Sequence, residues 1–260
     1  MRIVILTADE PFYLPAFFDR FLKHRAKDVV GLFPCEPVYR HQTKWTMMRR
    51  YLQTFGLWNT LILAWRVAGA KAKAGLGVGR RRRRFHSVGA VAAAYGVLLV
   101  EHPKDVNAPG FLDRLRALGA DVILSVSCPQ VFQGPLIALP ALGCFNLHGA
   151  DLPKYRGIAP SFWMLAKGET QAAVTIFVVN TGIDTGDVVG RRRFPILPED
   201  TLETFIVRGK QEACDLALET LDRLEAGTLV RTPLTGEGSY YGWPTREAYQ
   251  EFRHRGRRLR

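Results

Sequence analysis

Short apolar runs alternate along the chain with segments of helical spacing. Arg2–Leu6 is typical of a buried strand, Leu14–Lys27 carries apolar residues at helical spacing, and Val29–Phe33 is a second apolar run. A strand, a helix and a strand within about 35 residues predict a βαβ unit, which implies a parallel sheet and a right-handed crossover. The first turn has no Gly-x-Gly, so we expect no dinucleotide there.

The same alternation resumes in the second half of the chain. Further strands are predicted at Val97–Val100, Asp121–Val126, Gly143–Leu147 and Val174–Val179. Helices are predicted at Ala108–Leu118, Leu136–Leu139, Ser161–Lys167 and Thr201–Leu224, with Thr201 as the cap of the last one. The part from Thr232 onward is rich in turn-forming residues. The pattern predicts an α/β fold with a mostly parallel sheet, helices on both faces and a short C-terminal extension.

Residues 41–84 interrupt this rhythm. Trp45–Ala74 is rich in helix formers and aromatic residues, and three glycines then lead into the run Arg80–Arg84. One interpretation is an inserted amphipathic helical pair followed by a solvated basic loop. The other is an electrostatic patch for a phosphate-bearing substrate, a nucleic acid or an anionic lipid. The sequence does not decide between them.

Composition narrows the class of protein. The 260 residues are 47% hydrophobic and 23% charged, which excludes wholesale disorder. A net charge of +12 favours an anionic partner or substrate. The four cysteines form no CxxC pair, which argues against a zinc site or a disulfide framework. The chain shows no signal peptide and no apolar stretch long enough to span a membrane, so we expect a cytoplasmic protein.

A polar pair follows the apolar run Gly143–Leu147. Asn146 and His148 lie two residues apart, so their side chains project from the same face of a strand end. Ligands bind at the carboxyl ends of strands in open parallel sheets. An amide and an imidazole there can both donate hydrogen bonds to a developing oxyanion. Taken alone, the pair is weak evidence for a site, because a histidine near a strand end is more often a structural residue.

Two loops with turn chemistry come after this pair. Leu152–Pro160 mixes proline and glycine and can fold back over a strand end. In Asn180–Asp187, two glycines flank Asp184 and allow main-chain amides to approach a ligand closely. Asp184 should emerge at the same edge of the sheet, although aspartate is also a common turn former. Asp187 precedes an apolar pair and is the more structural of the two carboxylates.

Together these stretches resemble a known family. Its motifs are matched in order and spacing, over about residues 121–190, by Asn146-Leu147-His148, Leu152-Pro153-Lys154-Tyr155-Arg156-Gly157, Val174-Thr175-Ile176 and Gly182-Ile183-Asp184-Thr185-Gly186-Asp187. The chain is similar here to formyltransferases that use 10-formyltetrahydrofolate, such as those acting on methionyl-tRNA, glycinamide ribonucleotide and sugar nucleotides. The resemblance implies a Rossmann-like fold for a catalytic domain at 1–230, with residues 231–260 as an aromatic and arginine-rich tail.

The resemblance also implies roles for individual residues. Asn146, His148 and Asp184 correspond to the family's catalytic trio, and Thr175 falls on the strand beneath it. The first two would stabilise the oxygen of a tetrahedral intermediate, and Asp184 would take up the amine proton. Replacing Asn146 or Asp184 by Ala is expected to abolish turnover without unfolding the protein. The folate would lie along two loops, at Ser127, Cys128, Val131, Val179, Thr181, Gly182 and Ile183. No metal is expected.

The sequence says less about the acceptor amine than about the catalytic residues. By resemblance to the short aromatic tails of small-molecule formyltransferases, substrate contacts are predicted at Lys154, Tyr155, Arg156, Tyr241 and Trp243. The aromatic residues of this set can equally serve to pack the tail. Two alternatives stay open: a tRNA-directed enzyme without the family's C-terminal barrel, and a non-catalytic basic binding module on the same fold. A homodimer is compatible with the sequence.

Overall fold

The computed structural model describes residues 1–37, 44–79, 84–99 and 103–260, apart from the side chain of Lys44. The strands are β1 (Ile3–Ala8), β2 (Val29–Cys35), β3 (Val122–Val126), β4 (Gly143–His148), β5 (Arg156–Gly157), β6 (Gln171–Val178), β7 (Val188–Pro195) and β8 (Tyr240–Tyr241). The helices are α1 (Leu14–Arg25), α2 (Lys44–Gly75), α3 (Val88–Ala94), α4 (Pro109–Leu118), α5 (Gly134–Ile137), α6 (Pro160–Lys167), α7 (Leu202–Glu225) and α8 (Arg246–His254).

A six-stranded sheet in the order β2-β1-β3-β4-β6-β7 forms the centre of the fold. The first four strands of this order pair in parallel, β4 pairs antiparallel with β6, and β6 pairs antiparallel with β7. Only β6 therefore runs against the others. The prediction of a mostly parallel, Rossmann-like α/β sheet is confirmed.

Both faces of this sheet are covered by helices. Alternate residues of a strand point to opposite faces. Ile3 and Ile5 accordingly join a core with α1, α3, α6 and α7, whereas Val4 and Leu6 join a second core with α4 and α5. The predicted cap of α7 is present, since the Thr201 hydroxyl accepts a hydrogen bond from the Thr204 amide. The sheet is thus fixed from both sides, and its strand ends can hold side chains in place.

Two sequence-based predictions of elements need correction. The apolar run Val97–Val100 is not a full strand: Leu99 makes an isolated parallel bridge with Leu32, and Val100 lies outside the described residues. Leu98 and Leu99 are exposed, so no burial of their side chains stabilises a longer strand beside β2. The C-terminal extension is more regular than its turn-rich composition suggests. It holds the two-residue strand β8 and the helix α8, which Thr245 caps.

The inserted segment is largely helical. α2 breaks at Gly56, whose φ of 82° and ψ of 167° separate two helical halves, in agreement with the expected helical pair. Arg80–Arg83 lie outside the described residues, so the two interpretations of the arginine run stay open. Across the described ranges, no helix is long and apolar enough to cross a lipid bilayer.

Candidate active site

Asn146 and His148 lie at the carboxyl end of β4, where the sheet opens into a cavity of about 710 Å³. Asn146 stands between Ser125 on β3 and Phe177 on β6 in the strand register. His148 is buried, and Asn146 is half-buried. Both side chains line the cavity. The predicted pair therefore shares one face of a strand end, as the two-residue spacing requires.

A backbone hydrogen bond fixes the ring of His148. Its Nε2 lies 2.8 Å from the carbonyl oxygen of Tyr155. Because a carbonyl oxygen only accepts, Nε2 carries the proton of the neutral ring. Nδ1 is the nitrogen left for chemistry, and it lies 3.7 Å from Oδ2 of Asp184. A proton taken up at Nδ1 would therefore face a carboxylate.

Asp184 reaches this position from the loop after β6. Its own backbone is left-handed, with a φ of 52°. Its Oδ2 accepts a hydrogen bond of 2.8 Å from the amide of Gly157. Gly157 has a φ of 95°, and a Cβ there would collide with the carbonyl oxygen of Tyr241. Only glycine fits at this point, so the glycine of the Leu152–Gly157 motif holds the carboxylate beside the histidine.

Local contacts shape the loop that carries Asp184. Oδ1 of Asn180 accepts hydrogen bonds from the Gly182 amide at 3.0 Å and from the Thr185 hydroxyl at 2.8 Å. At Gly186 a Cβ would collide with the carbonyl oxygen of Val178. The loop is therefore tied to the end of β6 by residues of its own sequence motif. This explains why a short motif suffices to place the carboxylate.

Thr175 supports the site from below, as its motif position implies. It is fully buried on β6 and pairs with His148 in the strand register. Its hydroxyl donates to the carbonyl of Ala150 at 2.6 Å and lies 3.4 Å from the amide of Leu152. Thr175 thus fixes the chain immediately after His148 and has no place in the cavity lining that the structure describes.

The predicted folate residues lie on two loops that border the same cavity. Six of the seven line it: Ser127, Cys128, Val131, Val179, Gly182 and Ile183. Thr181 does not belong to the lining among the residues described. The backbone of Ser127 is left-handed, with a φ of 55°. Strained backbone of this kind is often found where a loop must present its main chain to a ligand.

Unlike the predicted folate residues, the five residues predicted to contact the acceptor lie away from the described cavity lining. None of Lys154, Tyr155, Arg156, Tyr241 and Trp243 belongs to the described lining of the cavity. The Tyr241 ring stacks on Tyr155 with centroids 5.4 Å apart and on Trp163 at 4.6 Å. Nε1 of Trp243 donates to the Thr54 hydroxyl at 3.3 Å. These contacts favour the packing interpretation of the tail aromatics, whereas Tyr240 does line the cavity.

Three functional candidates escaped the sequence reasoning: Glu10, Tyr13 and Lys210, all on the wall of the cavity. The Glu10 carboxylate accepts from the amides of Phe12, Tyr13 and Leu14 at the start of α1. Burial raises its pKa despite these bonds. Burial also raises the pKa of Tyr13 to about 12, helped by the nearby carboxylates of Glu203 and Glu10.

Lys210 faces the first folate loop from α7. Its Nζ donates to the Ser127 hydroxyl at 2.6 Å, and burial lowers its pKa. The sequence carried one usable signal, since a lysine interrupts the apolar spacing of the most regular helix. For Glu10 the sequence contains no such signal, because its hydrogen-bond partners are backbone amides of the residues that follow it.

The arrangement is suited to acyl chemistry on a bound small molecule. An amide and an imidazole nitrogen can stabilise an oxyanion, and a carboxylate beside the imidazole can accept a proton. Within the described part of the chain, no group of three or more His, Cys, Asp or Glu residues could hold a metal ion.

Several curated proteins of similar sequence are methionyl-tRNA formyltransferases by name. A methionyl-tRNA formyltransferase of Geobacter sulfurreducens is 39% identical over 132 residues, which cover 51% of this chain and 42% of the relative. One from Koribacter versatilis is 37% identical over 149 residues, covering 57% and 48%. The chain spans less than half the length of these relatives.

Solved structures of formyltransferases share the fold. A glycinamide ribonucleotide transformylase from Symbiobacterium toebii superposes with a TM-score of 0.60 at 17% identity, covering 90% of this chain and 94% of that one. An N-formyltransferase from Helicobacter canadensis, solved with folinic acid and dTDP-3-aminofucose, gives a TM-score of 0.55 at 15% identity, with coverages of 94% and 71%. The model of the family described as formyl transferase matches residues 66–221, more than half of the chain. The chain therefore belongs to the formyl transferase family.

Proposed function

We propose that this protein transfers a formyl group from 10-formyltetrahydrofolate to the primary amine of a small-molecule acceptor, such as an amino-sugar nucleotide or an amino metabolite. The observation that carries the proposal is the meeting of Asn146, His148 and Asp184 at one edge of a single cavity. Membership of the formyl transferase family supplies the reaction class.

Asn146, His148 and Asp184 each have a separate role in the proposed reaction. A neutral amine attacks the formyl carbon on N10 of the folate and forms a tetrahedral intermediate. Asn146 donates a hydrogen bond to its oxygen, and His148 does so from Nδ1 when that nitrogen is protonated. Asp184 orients the imidazole or a water and takes up the proton that the amine loses. The intermediate then expels the weakly basic N10, which is protonated as tetrahydrofolate leaves.

The folate is assigned to the side of the cavity formed by the loops at 125–131 and 179–184. The lining at Ser127, Cys128, Val131, Val179, Gly182 and Ile183 supports this assignment. The Helicobacter canadensis structure of similar fold was solved with folinic acid, which supports a folate as the formyl donor. The acceptor is assigned to the part of the cavity near Glu10 and Tyr13, which provide polar groups, while Lys210 lies between that part and the folate loop at Ser127. A volume of about 710 Å³ is within the range of small-molecule sites.

Turnover with a panel of acceptors tests this function. Purified protein is mixed with 10-formyltetrahydrofolate and one amine at a time, including nucleotide-linked amino sugars and simple amino metabolites. Release of tetrahydrofolate is followed by absorbance and the formylated product by mass spectrometry. We expect product with at least one amine and none with Asp184→Ala. An absence of turnover with every amine, together with an absence of folate binding, would contradict the proposal.

A tRNA acceptor is the second candidate. It is favoured by one finding, the names of the curated relatives, which are methionyl-tRNA formyltransferases at 34–39% identity. The arginines at 80–84 and in the tail would have to contact the phosphate backbone. Formylation of charged initiator tRNA, with affinity that falls steeply between low and moderate salt, would favour this acceptor. Affinity no higher for initiator tRNA than for random RNA would exclude it.

A further inference from the structure

The excess of positive over negative charge in the chain lies in one segment. Of the 36 Lys and Arg residues, twelve lie in residues 37–100, a segment that holds none of the 24 Asp and Glu residues. Outside it, 24 basic residues balance 24 acidic ones, so the whole net charge of +12 belongs to this segment. Its longest element is α2, on which Arg49 and Lys73 are exposed.

α2 also presents exposed apolar side chains on both of its helical halves, called here together the outer face. Exposed fractions reach 83% for Trp45, 72% for Trp58 and 78% for Trp65. Spacings of three and four residues place these side chains on one side of each helical half. The outer face consists of Trp45, Met48, Leu52, Leu57, Trp58, Leu61 and Trp65.

The opposite side of α2 is fixed to the body of the protein. Thr54 is buried, and its hydroxyl donates to the carbonyl of Pro244 at 3.0 Å. Phe55 is buried against the rings of Phe162 and Tyr249. These contacts set the rotation of the first helical half. In the second half, Thr60 is buried and Asn59 donates to the Tyr249 hydroxyl at 3.2 Å, so the outer face of both halves is turned to solvent.

Among the five tryptophans, high exposure is confined to the three on α2. The other two tryptophans are integrated into the fold: Trp163 is buried and donates from Nε1 to the carbonyl of Gly242 at 3.0 Å, and Trp243 is half-buried against Thr54. Contiguous apolar patches on a protein surface commonly mark interaction sites. The outer face is therefore a candidate docking surface.

We propose that the outer face of α2 docks on an anionic lipid surface. Tryptophan rings favour the membrane–water interface, and leucine side chains enter the acyl boundary. Arg49 and Lys73 would meet anionic headgroups. α2 would lie in the plane of the interface, consistent with the absence of a spanning helix among the described residues. The proposal does not depend on formyl transfer.

The charge and chemistry of the surface favour this occupant over two others. A two-fold contact between copies would bring two segments together that carry twelve positive charges each and no negative ones. Single-stranded RNA is bound by aromatic side chains that stack on bases. Four of the seven outer-face residues are Leu or Met, which have no ring to stack.

Vesicle flotation tests the proposal. The full chain is mixed with vesicles of phosphatidylcholine, or of phosphatidylcholine with phosphatidylglycerol, at low and moderate salt. We expect binding only to the vesicles that contain phosphatidylglycerol, weakened by salt because screening shortens the reach of charge. Tryptophan emission should shift to shorter wavelength on binding.

Two variants and one control make the test specific. The triple variant Trp58→Ser, Leu61→Ser, Trp65→Ser should lose vesicle binding, and Arg49→Gln with Lys73→Gln should weaken it by about fivefold for each charge. Val230→Ser removes an apolar side chain that is 72% exposed but lies outside α2, and should bind as the parent does. Circular dichroism verifies that every variant is folded.

Three results would overturn the proposal. The first is equal binding of the triple variant and the parent. The second is failure of the parent to bind anionic vesicles while it binds a single-stranded RNA oligonucleotide. The third is a dimer of the parent, seen by analytical ultracentrifugation, that the triple variant abolishes while vesicle binding is absent.

Discussion

Asn146 is the residue whose replacement should isolate the chemical step. It lines the cavity in a half-buried position at the end of β4, so its removal leaves the sheet core untouched. Loss of one oxyanion donor typically lowers turnover by about 10²–10³. We expect Asn146→Ala to bring kcat close to or below detection, with little change in the KM for folate.

The matched control for this change is Gln171→Ala, an exposed position at the start of β6. It should retain parental kinetics. Steady-state assays and thermal melting of both variants check the prediction. A normal kcat for Asn146→Ala would show that the amide takes no part in the reaction.

The partly buried side chain of Tyr13 should lower the free energy of unfolding at alkaline pH. Burial raises its pKa to about 12, whereas an unfolded tyrosine ionises near 10. The folded state therefore holds the proton more tightly, and stability falls as pH rises from about 10 to about 12. Tyr13→Phe should show a smaller loss of unfolding free energy over this range.

Urea unfolding at pH 8, 10 and 11 measures the effect. Tyr240→Phe is the control, because Tyr240 also lines the cavity but is 54% exposed. Equal pH dependence of the parent and Tyr13→Phe would refute the role given to burial.

Gly157 decides how the short strand β5 positions Asp184. A Cβ at this residue would collide with the carbonyl oxygen of Tyr241 on β8, and its φ of 95° strains any other residue. Gly157→Ala should therefore displace the amide that holds the carboxylate, lowering kcat and costing about 1–3 kcal/mol of stability. Gly110→Ala is the control, since a Cβ in α4 meets nothing and should be neutral or stabilising.

Assays and melting of both glycine variants provide the measurement. A fully active Gly157→Ala protein would mean that Asp184 keeps its position without this amide.

At the scale of elements, the features that could be predicted from the sequence are those determined by residues close together in the chain. The strand end with Asn146 and His148, the glycine-flanked loop of Asp184 and the cap of α7 follow from local spacing, and their positions agree with the prediction. That Glu10 and Lys210 line the same cavity could not be predicted from local spacing. These side chains come from elements far apart in the chain, and only the sheet order brings them to one cavity.

The packing of the C-terminal extension on the core could not be predicted for the same reason. Phe252 is fully buried and stacks on Phe162 of α6 at 5.2 Å, a contact across ninety residues that no local pattern encodes. α8 covers the core although the sequence around Phe252 is rich in arginine. A division of the chain at residue 230 stays a prediction, and these contacts argue that the extension folds together with the rest.

Phe252→Ala tests whether the whole molecule depends on this docking. Removing a fully buried aromatic side chain typically costs about 3–5 kcal/mol. We expect a clearly lower Tm and a single unfolding transition. His254→Ala, an exposed change on the same helix, should leave the Tm unchanged. An unaltered Tm for Phe252→Ala would mean that α8 contributes nothing to the stability of the sheet.

The pairing of β5 with β8 has a practical consequence for handling the protein. A protease that cleaves the exposed stretch before Tyr240 would leave the six-stranded sheet intact. It would cut the connection that leads into β8, the strand that pairs with Gly157. We expect such clipped material to keep its secondary structure, because α8 stays docked through Phe252, and to lose turnover when the Gly157 amide shifts away from Asp184. Preparations should therefore be judged by intact mass as well as by spectroscopy.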